Sequence, residues 1–382
     1  MKLELRPSIL LLPDESGYLA FDIASRQLHR LNPAAALVVE LCDGSRTLDD
    51  LRTAVEPLIG EADWPDWRAW IDSAVEAGIL SSDTLIGSSG VSSAARLGEL
   101  SERLRDEGRV LEAFICQQRA AELDSKNPDR WYSLGELAHI VGRRADALLA
   151  YERYVALRPD DVEIAHILTA LRDAPPPPRA PSEFIKDLYS RFASFYDANM
   201  NDDLDYRAPA LLAEAVVRAA SKRPLDVLDL GCGTGLSGQS IRGQARRLVG
   251  VDLSDDMIAR AETRAIYDQL HVAEITGWLK QYAGAELFTV ILACDSLIYF
   301  GDLRQVLVPA VKCLAPGGVI AFTLERCAWS PFQLSDAGRF THHPDHVEEA
   351  AQSAGLSIVS LDDAVLRYEY GTAVAGLVVV TR

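Results

Sequence analysis

The stretch LDVLDLGCGTGLSG, residues 225–238, decides the fold of the C-terminal half of the chain. A short apolar run contains the acid Asp229, and glycines follow at alternate positions, Gly231, Gly233 and Gly235. A buried strand that ends in a glycine-rich turn is typical of a doubly wound α/β sheet, which binds ligands at the carboxyl ends of its strands. The dinucleotide fingerprint G-x-G-x-x-G requires a glycine at position 236, where this chain has leucine. The glycine spacing of this loop therefore departs from the dinucleotide pattern.

Further strand-like runs follow this loop, and amphipathic stretches separate them. They are RLVGVDL (247–253), FTVILACD (288–295) and GGVIAFTLE (317–325). This alternation predicts an α/β fold built on a mostly parallel sheet. The first of these runs ends close to Asp252, whose carboxylate can accept hydrogen bonds from both hydroxyls of a ribose.

The glycine spacing after an acid, followed by VGVDLSDDMIARA (249–261), resembles the motifs of class I S-adenosylmethionine (SAM)-dependent methyltransferases. HVAEITGWL (271–279), ACDSLIYFGDL (293–303) and LAPGG (314–318) match later motifs of that family in the same order. The resemblance covers 182–382 and implies a Rossmann-like, seven-stranded sheet that ends in an antiparallel pair. It also implies SAM as cofactor and S-adenosylhomocysteine (SAH) as product.

Carried over position by position, the resemblance implies a set of cofactor-binding residues. Glu274 stands where the family more often has aspartate beside the adenine amine, and 182–222 resembles a helical lid whose tyrosines cover the cofactor or simply pack. The full set is Tyr189, Tyr196, Asp229, Gly231, Cys232, Gly233, Gly235, Asp252, Leu253, Met257, Glu274, Ile275 and Cys294.

The catalytic residues are less clearly marked. A sulfonium methyl group is already activated, so the protein has to align the acceptor and exclude water. An amine or hydroxyl acceptor also needs a base, whereas a carboxylate does not. RFTHHPDHV (339–347) offers His342 or His343 as that base, although histidines at a helix start are often only caps. Asp295 and Tyr299 are the other candidates, and no metal site is expected.

The first 80 residues or so have a different pattern. GYLAFDIASRQLHRLN (17–32) predicts two strands, Asn32-Pro33 opens a helix over 33–41, Thr47 caps a second helix, and a third covers 64–80. With LNPAAALVVELCDGSRTLDDL (31–51) and AVEAGIL (74–80), this order resembles the PqqD-like family of peptide-recognition domains. The resemblance implies a small winged-helix-like α+β domain over 1–85.

In that family a leader peptide adds as a strand beside the hairpin and rests on the third helix, a case of edge-strand augmentation. The resemblance implies that Arg26–Leu31 is the strand offered, and that Trp64, Trp67 and Trp70 lie on or near the facing helix. Core packing is the alternative for these tryptophans.

A repeat with a period of 34 residues occupies the middle of the chain. We assign this repeat to residues 95–172. Leu100 matches Leu134, and Gly108 matches Gly142. RWYSLGELAHIVGRRADALLAYERYVALRPDD (130–161) resembles a tetratricopeptide (TPR) unit, and a further helix over 161–172 is expected to cap an α-helical array. The array either binds a peptide or protein, or only spaces its neighbours. The following run DAPPPPRAP (173–181) predicts a semi-rigid polyproline II spacer.

Composition narrows the function further. The chain has 382 residues, is 48% hydrophobic and carries a formal net charge of −18, which disfavours nucleic acid as a substrate. No apolar run is long enough for a membrane span, and the start of the chain does not resemble a signal peptide, so the cytoplasm is the expected location. None of the six cysteines forms a C-x-x-C pair.

Taken together, these features predict a SAM-dependent methyltransferase that modifies a ribosomally synthesised precursor peptide. The expected partners are the leader peptide and other peptide-modifying enzymes, with neither nucleic acid nor membrane involved. Two alternatives stay open. One is a small-molecule methyltransferase whose front domains bind a partner enzyme, and the other is an inactive scaffold that keeps the fold.

Overall fold

A computed structural model describes residues 2–59, 64–82, 93–220, 224–282, 286–329, 331–369 and 371–382. The chain divides into two compact units, Met1–Asp160 and Asp161–Arg382. In the described parts of the chain, no helix is both long and apolar enough to cross a membrane.

The N-terminal unit begins with short strands and helices around one apolar core. Its strands are β1 (Lys2–Leu5), β2 (Ile9–Asp14), β3 (Gly17–Asp22), β4 (Gln27–Leu31), β5 (Asp43–Thr47) and β6 (Leu80–Ser81). Two antiparallel sheets result, with strand orders β5-β1-β6 and β2-β3-β4. The hairpin predicted over 17–32 is confirmed as β3 and β4, whereas β1, β2, β5 and β6 were not predicted. Arg26 lies in the turn with φ +60°, so the strand begins one residue later than expected.

Helices α1 (Pro33–Leu41), α2 (Leu48–Ile59) and α3 (Trp64–Glu76) complete this part of the unit. The start of α1 is confirmed, because the Asn32 side chain accepts a hydrogen bond from the Ala35 N–H at 2.8 Å. The predicted cap of α2 is also confirmed. Thr47 Oγ1 accepts from the Asp50 N–H at 3.2 Å, and the Asp50 carboxylate accepts from the Thr47 N–H at 2.8 Å. Helix α3 ends four residues earlier than expected, and the chain then continues into β6.

Four helices follow in the same unit, α4 (Ala94–Asp106), α5 (Val110–Leu123), α6 (Pro128–Ile140) and α7 (Arg144–Leu157). The 34-residue repeat marks equivalent helix ends, since Gly108 and Gly142 have φ of +76° and +75°. Gly135 lets α6 approach α7, because a Cβ there would lie 2.4 Å from the Tyr151 ring. In the first pair the equivalent glycine is replaced by Ser101, whose buried hydroxyl donates to the Ala113 carbonyl at 2.8 Å. The TPR and winged-helix assignments stay predictions.

The C-terminal unit is an α/β fold. Its helices are α8 (Val162–Leu171), α9 (Ser182–Phe192), α10 (Tyr196–Ala198), α11 (Ala208–Ala219), α12 (Leu236–Ile241), α13 (Asp255–Thr263), α14 (Ile275–Gln281), α15 (Arg304–Val311) and α16 (Pro344–Ser353). Its strands are β7 (Leu225–Leu230), β8 (Ala245–Asp252), β9 (Gln269–Val272), β10 (Phe288–Ala293), β11 (Leu314–Arg326), β12 (Phe332–Leu334), β13 (Phe340–His342), β14 (Ile358–Glu369) and β15 (Thr372–Thr381).

Seven of these strands form the expected sheet, in the order β9-β8-β7-β10-β11-β15-β14. The strands from β9 to β11 are parallel, and β15 runs antiparallel to both β11 and β14, as predicted for the last pair. The expectation of seven strands was incomplete. The hairpin of β12 and β13 extends the sheet to nine strands in the described chain, because β13 pairs with the end of β11.

The sheet is buried on both faces, as helices on either side require. Alternate residues of β7 enter different apolar clusters, Leu228 and Leu230 in one, Leu225 and Val227 in the other. This packing fixes the carboxyl ends of β7, β8 and β10, where the glycine loop and Asp252 lie.

Helix α8 belongs to this unit, whereas the sequence suggested that it caps the repeat. The His166 ring lies 5.2 Å from that of Phe184, and its Nε2 is 3.0 Å from the Gly338 carbonyl oxygen. Glu163, one turn earlier, pairs with Arg191 of α9 at 2.6 Å. Apolar burial and these polar contacts bind α8 to the methyltransferase-like sheet.

Candidate cofactor site

A cleft opens at the carboxyl ends of β7, β8 and β10. Many of the residues predicted from the sequence line it, namely Tyr189, Tyr196, Gly231, Gly233, Asp252, Leu253, Glu274, Ile275, Cys294, Asp295 and Tyr299. The remaining predicted residues, Asp229, Cys232, Gly235, Met257, His342 and His343, do not line it. The lining residues Arg179, Ile185, Ser296 and Phe300 were not predicted.

The glycine loop needs its glycines for different reasons. All three have positive φ, +69° at Gly231, +54° at Gly233 and +97° at Gly235, a region that side chains disfavour. A Cβ on Gly231 would lie 2.4 Å from the Ser296 Cβ. A Cβ on Gly233 would meet no protein atom within 4 Å and would project into open space, which is the space a ligand needs. Gly235 instead begins α12 and packs against Arg264 and Tyr267.

Asp252 ends β8 beside this loop. Its carboxylate accepts hydrogen bonds from the Gly233 N–H at 2.8 Å and from the Ser254 N–H at 2.9 Å. Burial raises the pKa of this carboxyl, while the backbone N–H groups lower it. The carboxylate is thus held at the cleft wall, with acceptor positions left for ribose hydroxyls.

Asp229 lies behind the loop and is fully buried. Its Oδ2 accepts from Ser237 at 2.8 Å and from Tyr267 at 2.7 Å, and its Oδ1 has no hydrogen-bond partner among the described residues. Burial raises the pKa of this carboxyl to about 6. A buried acceptor without a donor costs free energy unless a ligand or water satisfies it. Because Asp229 does not line the cleft, its hydrogen bonds to Ser237 and Tyr267 hold the glycine loop from behind.

The lid covers the cleft with tyrosines. Tyr189 of α9 and Tyr196 of α10 contact each other edge to face at 6.1 Å. The Tyr189 hydroxyl lies 3.0 Å from that of Tyr299, which follows β10. Asp197 joins the lid to the glycine loop, because it pairs with Arg264 and accepts from the Thr234 hydroxyl. The lid is therefore held in place by polar contacts at both ends.

The Asp295 side chain faces the cleft but is held by other residues. Its Oδ1 accepts from Thr323 at 2.6 Å, and its Oδ2 accepts from Arg367 at 3.0 Å. Arg367 also pairs with Glu325 and Glu369, and Arg339 pairs with the same two acids. Burial raises the pKa of Asp295, whereas the positive charge of Arg367 acts to lower it. Arg367 therefore pairs with the Asp295 carboxylate inside this buried network.

The two histidines proposed as bases lie away from the cleft. His342 ends β13 with no exposed surface, and burial lowers its pKa to about 3. His343 caps α16, where its Nδ1 accepts from the Asp345 N–H at 3.2 Å. His346 lies 3.0 Å from the Gly301 carbonyl oxygen through its Nε2. The base assignment to His342 or His343 does not fit these positions, because neither side chain lines the cleft.

Residues 228–320 match the family model described as "Methyltransferase domain". This part of the chain is a methyltransferase domain. The match runs from Leu228 in β7 to Ile320 in β11, and so includes the glycine loop, Asp252 and Asp295. Together with the strand order, this match gives the C-terminal unit a Rossmann-like methyltransferase fold.

Curated methyltransferases are similar to part of this chain. A trans-aconitate 2-methyltransferase of Acidovorax sp. (strain JS42) is 32% identical over 136 residues, 35% of this chain and 46% of that protein. A ubiquinone biosynthesis O-methyltransferase of Rhizobium rhizogenes (strain K84 / ATCC BAA-868) is 28% identical over 159 residues, 37% of this chain and 64% of that protein. The chain thus spans less than two thirds of the length of each.

Among solved structures, magnesium protoporphyrin IX methyltransferase from Synechocystis PCC 6803 with bound SAH aligns with a TM-score of 0.41 and 12% identity. The alignment covers 52% of this chain and 98% of that one. At this TM-score the likeness transfers no functional detail to the present chain.

Proposed function

We propose that the C-terminal unit transfers a methyl group from SAM. One observation carries the proposal, namely that the Gly231–Gly235 loop and the Asp252 carboxylate share one cleft at the strand ends. When bound, SAM supplies the activated methyl group. Asp252 would hold the ribose, and the space over Gly233 would receive the adjoining part of the cofactor.

The tyrosines at the other end of the cleft would exclude water and shape the acceptor site. Burial raises the pKa of Tyr189, Tyr196 and Tyr299, so their phenols stay protonated at neutral pH. They therefore hydrogen-bond and pack against ligands but do not accept the acceptor's proton.

The proposed acceptor is one that needs no base, such as a carboxylate. Among the lining residues that the structure describes there is no histidine or lysine, and Asp295 is bound by Arg367 and Thr323. A carboxylate is already nucleophilic at neutral pH, so alignment against the methyl group is sufficient. The product would be a methyl ester.

The proposed substrate is a peptide that the N-terminal unit recruits. Support comes from β4, an edge strand that pairs only with β3 among the described strands. An edge strand presents unpaired backbone groups to an extended peptide. Trp67 and Trp70 contact each other at 5.7 Å and pack against the same apolar core as Leu31 of β4, so they serve at least partly as core. The Trp64 side chain lies outside the described residues.

A small carboxylic acid is the second candidate substrate. The trans-aconitate 2-methyltransferase similarity favours it, because that enzyme's name specifies a small acid. In this case the N-terminal unit would bind a partner protein rather than the substrate.

Calorimetry with SAH tests the cofactor proposal. The expected result is binding by the native chain and no measurable binding by Asp252→Ala, since ribose then loses its charged acceptor. Asp256→Ala is the matched control, because Asp256 is an exposed acid of the adjacent helix α13 and does not line the cleft. Absence of SAH binding by the native chain would favour an inactive scaffold.

Mass spectrometry of a co-expressed neighbouring peptide tests the substrate proposal. The expected result is one added methyl group that is lost in mild alkali, as an ester is, and that requires residues 1–85. A truncated protein that still binds SAH has a folded cofactor site, so its failure to methylate would report lost recognition. Turnover of a small acid without any peptide product would support the second candidate instead.

A further inference from the structure

The proline-rich segment before α9 is fixed to the loop that follows β10, whereas the sequence suggested a spacer. The Pro178 carbonyl oxygen accepts from the Gly301 N–H at 3.0 Å and from the Asp302 N–H at 2.9 Å. The Ala180 N–H donates to the Tyr299 carbonyl oxygen at 2.8 Å. This pairing makes residues 178–180 part of the wall of the cleft.

Arg179 lies between these bonds, in an antiparallel bridge with Phe300. Its guanidinium lines the cleft 4.9 Å from the centre of the Phe300 ring and is 24% exposed. One terminal nitrogen, Nη1, donates to Glu274 at 3.1 Å, and the other, Nη2, donates to the Ser182 hydroxyl at 2.9 Å. The side chain is therefore held in a defined position at the end of the cleft that Glu274 and Ile275 line.

Glu274 has no acceptor position left for the adenine amine. Its Oε1 accepts from the Thr276 N–H at 3.0 Å and from Arg179 at 3.1 Å. Its Oε2 accepts from the Gly277 N–H at 2.7 Å and from the Thr276 hydroxyl at 2.6 Å. Four donors occupy the roughly four lone-pair positions of a carboxylate. Glu274 acts here as the cap of α14 and as the partner of Arg179.

Arg179, in contrast, keeps a donor for a ligand. Of the two N–H bonds on Nη2, one reaches Ser182, and the second has no partner among the described residues. A planar guanidinium can also lie against an aromatic ring, as it does here against Phe300. Adenine offers both a planar face and unprotonated ring nitrogens that accept hydrogen bonds.

We propose that Arg179, rather than Glu274, recognises the adenine ring of the cofactor by donating a hydrogen bond to a ring nitrogen. This inference rests on the proposed function, because it concerns the same cleft and the same cofactor. Glu274 then orients Arg179 instead of reading the base. Arg179 lies in the proline-rich segment (173–181), outside the sequence motifs that resemble those of SAM-dependent methyltransferases.

Calorimetry on the full chain tests this with SAH and with the three SAH analogues in which N1, N3 or N7 of adenine is replaced by C–H. Arg179→Met is expected to bind SAH about tenfold to a hundredfold more weakly, the range for a lost charge-assisted hydrogen bond. Arg304→Met is the matched control, an arginine that pairs with Asp302 outside the cleft, and should bind SAH within about threefold of the native chain, as expected for an exposed ion pair.

The analogues separate recognition of the base from loss of the cleft wall. One analogue should bind the native chain more weakly by a similar factor, and this penalty should disappear in Arg179→Met. If every analogue keeps its penalty in that variant, or if the variant binds SAH like the native chain, the inference is wrong. Arg179→Lys, which keeps the pairing charge but not the planar fork, should show the same loss of discrimination if the methionine variant does not fold. A native chain that binds no SAH would overturn the proposed function as well.

Discussion

Alanine at Gly231 should mainly lower stability and alanine at Gly233 should mainly lower SAH affinity, because the two glycines share a backbone conformation but differ in what surrounds them. Both have a left-handed φ, which costs a non-glycine residue about 1–2 kcal/mol. At Gly231 the new Cβ would also lie 2.4 Å from Ser296, and overpacking of this kind adds about 1–3 kcal/mol. At Gly233 no protein atom lies within 4 Å, so strain is the only cost to the free protein.

The expected loss of stability is therefore about 1–2 kcal/mol for Gly233→Ala and about 2–5 kcal/mol for Gly231→Ala. For a domain of this size, each kcal/mol lowers the melting temperature by about 2–4 °C. Gly233→Ala should also lose most of its SAH affinity, because the methyl group fills the space proposed for the ligand. Thermal unfolding followed by circular dichroism measures the first effect, and calorimetry with SAH measures the second.

Two results would refute this reasoning. If Gly233→Ala keeps native SAH affinity, the open space above the loop is not where the cofactor lies. If Gly231→Ala is no less stable than Gly233→Ala, the chain accommodates the new Cβ next to Ser296 with no loss of free energy of unfolding.

Three further predictions concern stability. Arg367→Met should destabilise the chain by about 3–5 kcal/mol in urea denaturation, because it leaves the buried Asp295 carboxylate without a cationic partner. Arg326→Met, which breaks an exposed pair, should cost less than about 1 kcal/mol. The pKa of His342 is about 3 in the folded chain, below the unfolded value of about 6.5, so the unfolded chain takes up the proton first and stability falls as the pH drops below 6.5. His342→Leu should remove up to about 1.4 kcal/mol of this loss per pH unit. If the urea midpoint falls equally in the native chain and in the variant between pH 7 and pH 5, this prediction is wrong. Thr47→Ala should cost about 0.5–2 kcal/mol in the N-terminal unit, and unchanged unfolding would mean that the cap is dispensable.

The strands that carry the cleft could be predicted because their signal is local. β7, β8 and β10 are short apolar runs buried on both faces, and the acids Asp229 and Asp252 stand at or near strand ends. β9 was missed because Gln269–Val272 is partly exposed and has no apolar run. The position of the glycine loop could be predicted from the spacing of its glycines, because glycine favours the positive φ angles that this turn requires.

The rest of the site depends on contacts between residues that are far apart in the sequence. Asp295 and Arg367 are 72 residues apart, and Arg367 and Glu325 are 42 apart, so their pairing follows only from the antiparallel insertion of β15. The histidines near β11 looked close to the cleft because they follow its last parallel strand. The hairpin that buries His342 turns at residues 335–338, where Gly338 has a φ of +75°, and this turn signal was missed because the flanking strands have only three residues each.

The packing of α8 against the sheet affects where the methyltransferase domain can be excised. A recombinant fragment that starts at Ser182 would lose His166 from its place between Phe184 and Phe340, and would lose Arg179 from the cleft wall. A fragment that starts at Asp161 would keep both. Poor solubility of the shorter fragment would therefore reflect a bare apolar surface, and weak cofactor binding by it would say nothing against the native enzyme.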